Sequence, residues 1–211
     1  MAGLIIAIDG PDGVGKTTQH KLLTEYLNKQ GHRVHTTRHN GGTPIGEALR
    51  EVSLAPIKRS AETDLYISLA MGQALSEDLE QRQSAGEVIL IDRSPLAIVA
   101  YQGYGSQLKD RQAAFDACER LFKNERIDLL LFLNAPQDII NDRRDKRATT
   151  DYFESQGDAF HNRVREGYEA GLDALQKTAD FKTKIVEIDA SSDIETIQRA
   201  IIQALPPDIT T

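Results

Sequence analysis

The segment Gly10-Pro11-Asp12-Gly13-Val14-Gly15-Lys16-Thr17 places glycines, a lysine and a hydroxyl in the spacing G-x-x-x-x-G-K-T. That spacing suits a polyanion. Gly10, Gly13 and Gly15 admit positive φ and let the backbone approach a ligand closely, because no Cβ stands in the way. The N–H groups freed in such a loop, with the N-terminus of a following helix, attract anions. Lys16 adds a point charge, and the Thr17 hydroxyl is suited to hold Mg²⁺. The pattern therefore predicts a site for a nucleotide polyphosphate, with Val14 as a further loop residue. Its flanks agree: Leu4–Ile8 is a short apolar run that reads as a buried parallel strand. A helical pattern follows with Leu22, Leu23, Tyr26 and Leu27 on one face.

Further along, strand candidates end on polar residues. Val34–Thr37 is followed by Arg38, then His39-Asn40-Gly41-Gly42-Thr43, and Glu87–Ile91 ends on Asp92-Arg93. Ligands of a parallel sheet collect at the carboxyl ends of its strands. Asp12, Lys16, Arg38, Asp92 and Arg93 are thus expected in one crevice, although each charge alone reads equally well as a surface ion pair. The run Arg143-Arg144-Asp145-Lys146-Arg147 admits two readings, a solvated helix face or a lid that delivers arginine to a transferring phosphoryl group.

The elements that must carry these residues alternate. Strands are expected at 4–8, 34–37, 87–92, 129–133 and 184–188. Helices are expected after Lys16, from Pro44 (capped by Thr43) to about Ala55, and over 61–85. Others follow over 109–124, from Pro136 into the charged run, over 152–179, and over 193–205. The second of these helices carries Ile45, Leu49 and Val52, and Gly31 is placed to stop the first. The pattern specifies an α/β fold: a five-stranded parallel sheet with helices on both faces. With 211 residues the chain suits one domain, and no repeat or linker divides it.

Composition excludes several classes. The net charge of −7 argues against a general nucleic-acid coat. The single Cys118 excludes an internal disulfide, and its spacing from Phe115, Leu121 and Phe122 reads as core packing. No apolar run reaches the ~20 residues of a membrane span, and the first apolar run is unlike a signal peptide because it is short and lacks a basic start. A soluble cytoplasmic protein is expected.

Taken together, the phosphate loop with Thr18-Gln19, Arg38 ahead of Gly41-Gly42-Thr43-Pro44, and Asp92-Arg93 followed by Ala100-Tyr101-Gln102-Gly103 resemble the bacterial thymidylate kinase family. So do the arginine-rich run, Asp151-Tyr152-Phe153-Glu154, and Arg163-Val164-Arg165-x-Gly167-Tyr168, and the resemblance covers nearly the whole chain. It implies a three-layer P-loop NTPase fold, ATP and Mg²⁺ as cofactors, dTMP as acceptor, and a homodimer. Lys16, Thr18 and the loop amides would hold ATP phosphates, and Thr17 and Asp92 would organise Mg²⁺. Asp12 would contact the acceptor sugar, and Arg38 and Arg93 its phosphate. Arg143 and Arg147 would close with a lid at about 142–154, onto the phosphoryl group or the adenine. Tyr101 would pack against the deoxyribose. No general base is needed, since a phosphate acceptor is already ionised.

The base pocket departs from the family pattern. Tyr66 supplies a stacking ring, but Ala70 stands where members carry arginine. Ala97 and Ile98 replace polar residues, and Ser94 an aromatic one. Gln73 or Gln102 could substitute, the acceptor could be a different nucleotide or nucleoside, or base selection could be loose, as apolar slots discriminate weakly. A P-loop hydrolase or switch is the other class. It is disfavoured because Asn28-Lys29-Gln30-Gly31, the nearest match to a guanine-reading Asn-Lys-x-Asp, lacks the acid and sits on the first helix.

Overall fold

The computed structural model describes residues 3–145, 152–153 and 155–209. Five strands, β1 (Leu4–Asp9), β2 (Val34–Arg38), β3 (Val88–Asp92), β4 (Leu129–Asn134) and β5 (Lys184–Asp189), form one all-parallel sheet in the order β2-β3-β1-β4-β5. β1 is central and buried on both faces, which is why it is apolar throughout rather than alternating. Ile5 and Ala7 face one core with Ile89, Ile91, Leu130 and Phe132, and Ile6 and Ile8 face a second with Leu90, Leu131 and Leu133.

The helices divide between these faces. Apolar residues of α1 (Lys16–Lys29), α6 (Gln137–Asp145) and α8 (Ile194–Ala204) enter the second core through Leu23, Leu27, Ile140, Ile197 and Ile201. Those of α3 (Ala61–Ser84), α5 (Arg111–Glu125) and α7 (Asp158–Lys177) enter the first, with Cys118 buried among them as expected. Gly31, with φ of 89°, ends α1 as the sequence predicts.

Four strands run one residue further than expected, onto Asp9, Arg38, Asn134 and Asp189, because the ladder continues through these polar ends: Arg38 pairs with Asp92, and Asn134 with Asp189. Helix α7 starts at Asp158, not near 152. Gly157 caps it, and the Ser155 hydroxyl donates back to the Tyr152 carbonyl in a preceding turn. A helix absent from the sequence reading, α4, begins at Leu96–Ile98 and continues as a π-helical turn over Val99–Gly105. Its glycines and valine are poor helix formers, so packing against α7 overrides propensity. Helix α2 (Pro44–Leu54) also differs: Ile45 and Val52 are 61% and 46% exposed, while Gly46 and Ser53 are its buried residues. Its apolar stripe faces outward.

Thr43 caps α2 as expected, with Oγ1 accepting a hydrogen bond from Gly46 N at 3.0 Å. Thr43→Ala is expected to cost about 1 kcal/mol, lowering Tm by about 2–4 °C in a thermal melt. An unchanged Tm would show that the cap contributes nothing.

Candidate active site

The loop after β1 forms the expected cradle. Gly10, Gly13 and Gly15 have φ of 143°, 91° and 103°. A Cβ on Gly10 would lie 2.2 Å from the Leu133 carbonyl oxygen, so only glycine fits there. Gly15 is the N-cap of α1 and offers no side-chain acceptor. The first-turn N–H groups of Lys16, Thr17 and Thr18 therefore lack intrahelical partners and suit an anion. Val14 takes part through its backbone, since its side chain is fully buried in the second core. Lys16 Nζ folds back to donate to the carbonyls of Gly10 (2.8 Å) and Pro11 (2.9 Å), and lies 3.6 Å from Asp12 Oδ1.

Across from the cradle, Arg93 pairs with the Asp12 carboxylate, and Tyr101 OH donates to Asp12 Oδ2 at 2.5 Å. The Arg93 guanidinium lies 5.0 Å above the Tyr101 ring, and its Nη1 donates to Tyr168 OH at 3.1 Å. Tyr168 OH in turn donates to Asp9 Oδ1 at 2.9 Å. Arg93 has φ of 72°, a left-handed conformation rare outside glycine, and its N–H donates to the Ile8 carbonyl at 2.8 Å. The end of β3 is thus turned toward β1.

Asp9 was not singled out in the sequence. Its carboxylate is fully buried and accepts from Gly10 N, Tyr168 OH, Ser94 N and Ser94 Oγ. The one available signal was a carboxylate closing an otherwise apolar strand, immediately before the first loop glycine. Ser94 makes two of these bonds, one from its backbone N–H and one from its hydroxyl. The Arg163…Tyr168 stretch has a structural explanation as well. Arg163 donates to the Gly105 carbonyl, and a Cβ on Gly167 would lie 2.7 Å from Ala100 Cα, so α7 seats closely on the π-helical turn and brings Tyr168 to Arg93.

A crevice beside this cluster is lined by Asp12, Arg93, Tyr101 and Gln102, with Ala97 and Phe153, and on the α2 side by Asn40, Arg50 and Ser53. Arg50 and Ser53 are new to the site, as the interior of α2 drew attention only for its apolar stripe, whereas Asn40 lies in the segment noted after β2. Gln102 is buried with Oε1 unpartnered among the described residues, and Phe153 packs edge-on to Tyr101 at 5.7 Å. Of the two glutamines considered as base readers, Gln102 lies here, whereas Gln73 is exposed and donates to Glu77. Ile98 is core, packed with Leu65 and Leu121.

Other predicted residues sit elsewhere. Arg38 is half exposed and donates to Glu47 Oε1 at 2.9 Å, outside the crevice lining. Tyr66 is 70% exposed on α3 and does not line the crevice either. Arg143 Nη1 donates to the Ala190 carbonyl at 2.7 Å, which ties α6 to the segment before α8. Arg147, with most of the lid at 142–154, lies outside the described residues. Asp92 is half buried with Oδ1 unpartnered among the described residues, which fits a cation ligand, and Thr17 is exposed at the start of α1. No helix among the described residues is long and apolar enough to cross a membrane.

Burial alone would raise the Asp12 pKa. The Arg93 guanidinium, the Lys16 ammonium and the Tyr101 hydroxyl outweigh it and hold the carboxyl well below the usual carboxylate range. Burial and the neighbouring Arg93 charge lower the Lys16 pKa despite three nearby carboxylates. Burial raises the Tyr101 and Tyr168 hydroxyls, so both are neutral donors. Because the Asp12 pKa is depressed on folding, its stabilising contribution is complete above the unfolded value near ~4 and is lost as pH falls below that toward the folded value. Denaturant titrations from about pH 5 to 3 should therefore show wild type losing more stability than Asp12→Asn, and parallel slopes would contradict this electrostatic account.

Comparison with known proteins agrees with this geometry. The thymidylate kinase family model matches residues 8–201. The thymidylate kinase of Pseudomonas entomophila (strain L48) is 35% identical over 210 residues, covering 98% of this chain and 96% of its own. The thymidylate kinases of Pseudomonas fluorescens (strain Pf-5) and Pseudomonas savastanoi pv. phaseolicola are 34% and 35% identical with the same coverage. A family match over nearly the whole length, with relatives 34–35% identical over 98% of the chain, has one consequence: this protein belongs to the thymidylate kinase family.

Proposed function

We propose that this protein transfers the γ-phosphoryl group of ATP to the phosphate of dTMP. The observation that supports the reading is the closeness of two cationic side chains, Lys16 and Arg93, to the one Asp12 carboxylate. The glycine loop with Lys16 lies on one side, and Arg93, held by Asp12 and Tyr168, on the other. A phosphoryl transfer enzyme needs mainly this: two phosphates brought into line, with positive charge where negative charge accumulates.

In this reading Lys16 leaves the Gly10 and Pro11 carbonyls for the ATP phosphates, which the first-turn N–H groups of α1, including Thr18, also hold. Thr17 and Asp92 hold Mg²⁺, which would neutralise phosphate charge. Arg93 exchanges Asp12 for the acceptor phosphate, and Asp12 accepts from a sugar hydroxyl. Tyr101 closes against the sugar face. Arg38 releases Glu47 to reach the same phosphate, and Arg143 and Arg147 serve the donor side. Gln102 is the base-reading group, supported by its buried, unpartnered Oε1 in the crevice. Tyr66 is not used, since it is exposed away from the lining. The acceptor is already an anion, so no residue need remove a proton. A homodimer in the cytoplasm completes the reading, supported by the exposed Ile45 and Val52 on α2.

Coupled ATP-to-ADP turnover with Mg²⁺ tests this against dTMP, dUMP, dCMP, dGMP, dAMP, ribonucleotides and thymidine. Preference for dTMP is expected. Preference for another acceptor would overturn the base assignment, as Ala97 at the crevice wall would then mark a different pocket. Lys16→Ala should lower kcat by about 100-fold or more, and a rate near wild type would remove the loop from the mechanism. Arg38→Ala should raise the dTMP KM about tenfold (~1.4 kcal/mol) with the ATP KM unchanged. Equal effects on both substrates would remove Arg38 from the acceptor side.

A further inference from the structure

Two titratable side chains outside the reacting cluster are both completely buried: His39, just past the end of β2, and Glu125, the last residue of α5. His39 Nε2 lies 3.1 Å from Glu125 Oε1. Among the described residues neither ring nitrogen and neither carboxylate oxygen has a geometrically aligned hydrogen bond, so each group has only the other to offset its burial. The imidazole lies in a gap left by α3, where a Cβ on Gly72 would stand 3.4 Å from Nε2.

Isolated buried pairs of this kind seldom raise stability, because desolvation offsets their attraction and apolar residues of similar volume do as well or better. What such a pair can do is select one geometry. The segment that follows needs selection, since Asn40, Gly41 and Gly42 have φ of 61°, 156° and 78°, all in the freely turning left-handed region. That segment also belongs to the acceptor side. Asn40 lines the crevice, its carbonyl accepts from Arg50 Nη1 at 3.0 Å, and Arg38 precedes His39. The backbone of His39 is itself fixed, its N–H donating to the Asp92 carbonyl at 2.9 Å, next to Arg93.

We propose that the His39–Glu125 pair is a positioning device for the acceptor loop: it pins residues 38–42 to α5 so that Asn40 stays at the crevice wall and Arg38 stays within reach of the acceptor. The pair touches no reacting atom and acts through its neighbours. The inference rests on the reading of this crevice as the dTMP side, which the Arg38→Ala kinetics test separately.

The experiment compares wild type, Glu125→Gln and the double variant His39→Leu/Glu125→Leu for Tm, dTMP KM and ATP KM. Glu125→Gln should raise the dTMP KM about tenfold, leave the ATP KM within about twofold, and lower Tm by several degrees. The double variant should regain the wild-type Tm while its dTMP KM stays raised. A purely structural pair would behave differently, with dTMP KM returning together with Tm, and that result would overturn the proposal. So would an unchanged dTMP KM in Glu125→Gln, or ATP and dTMP KM rising in parallel. Where Glu125→Gln does not fold, the double variant decides. If that also fails to fold, the pair serves the fold itself and the positioning role is refuted. A raised dTMP KM in Glu125→Gln beside an unaltered one in Arg38→Ala would place the fault in the Arg38 assignment rather than in the pair.

Discussion

The buried carboxylate of Asp9 joins the parts that the site requires. It closes β1, receives the first N–H of the phosphate loop, takes two hydrogen bonds from Ser94 beyond β3, and holds Tyr168 of α7. A carboxylate with no exposure is costly unless its lone pairs are met. Four donors from separate elements meet them here, so the loop, the β3 end and α7 cannot drift independently without leaving that charge unsatisfied. Tyr168 then passes the constraint to Arg93.

The crevice itself is prepared electrostatically. Asp12, Lys16 and Arg93 are packed together, and burial and neighbouring charge lower the pKa of Lys16 while Arg93 and Lys16 lower that of Asp12. A phosphate entering this site would not need to create positive charge. It would displace internal partners, the Gly10 and Pro11 carbonyls from Lys16 and the Asp12 carboxylate from Arg93. The left-handed backbone at Arg93 is part of the same arrangement, since it turns the guanidinium back over β1.

The crevice carries little polarity around Gln102. Ala97 lines it, Ile98 packs into the core, and Ala70 and Tyr66 are exposed on α3. Gln102, in the π-helical turn, brings a buried amide to the crevice, its Oε1 without a hydrogen-bond partner among the described residues. Such turns recur at functional sites because the wider coil shifts side chains out of the ordinary helical register.

Sequence by itself determined what short-range physics dictates. The glycine spacing defined the cradle, apolar runs defined the three buried strands β1, β3 and β4, and Thr43-Pro44 and Gly31 marked helix ends, each because a local backbone need selects a residue type. Asp12, Lys16 and Arg93 were legible for the same reason, standing where strands end. The tertiary structure decided what depends on distant partners. Asp9 became a hub only once Tyr168 reached it, and His39 and Glu125 became a pair only when the end of α5 met the segment after β2. The apolar stripe of α2 turned outward, and Tyr66 fell outside the crevice, because periodicity states that a helix has a face but not what that face meets. Side-chain pairing between residues far apart in the chain is set by packing, and no local pattern encodes it.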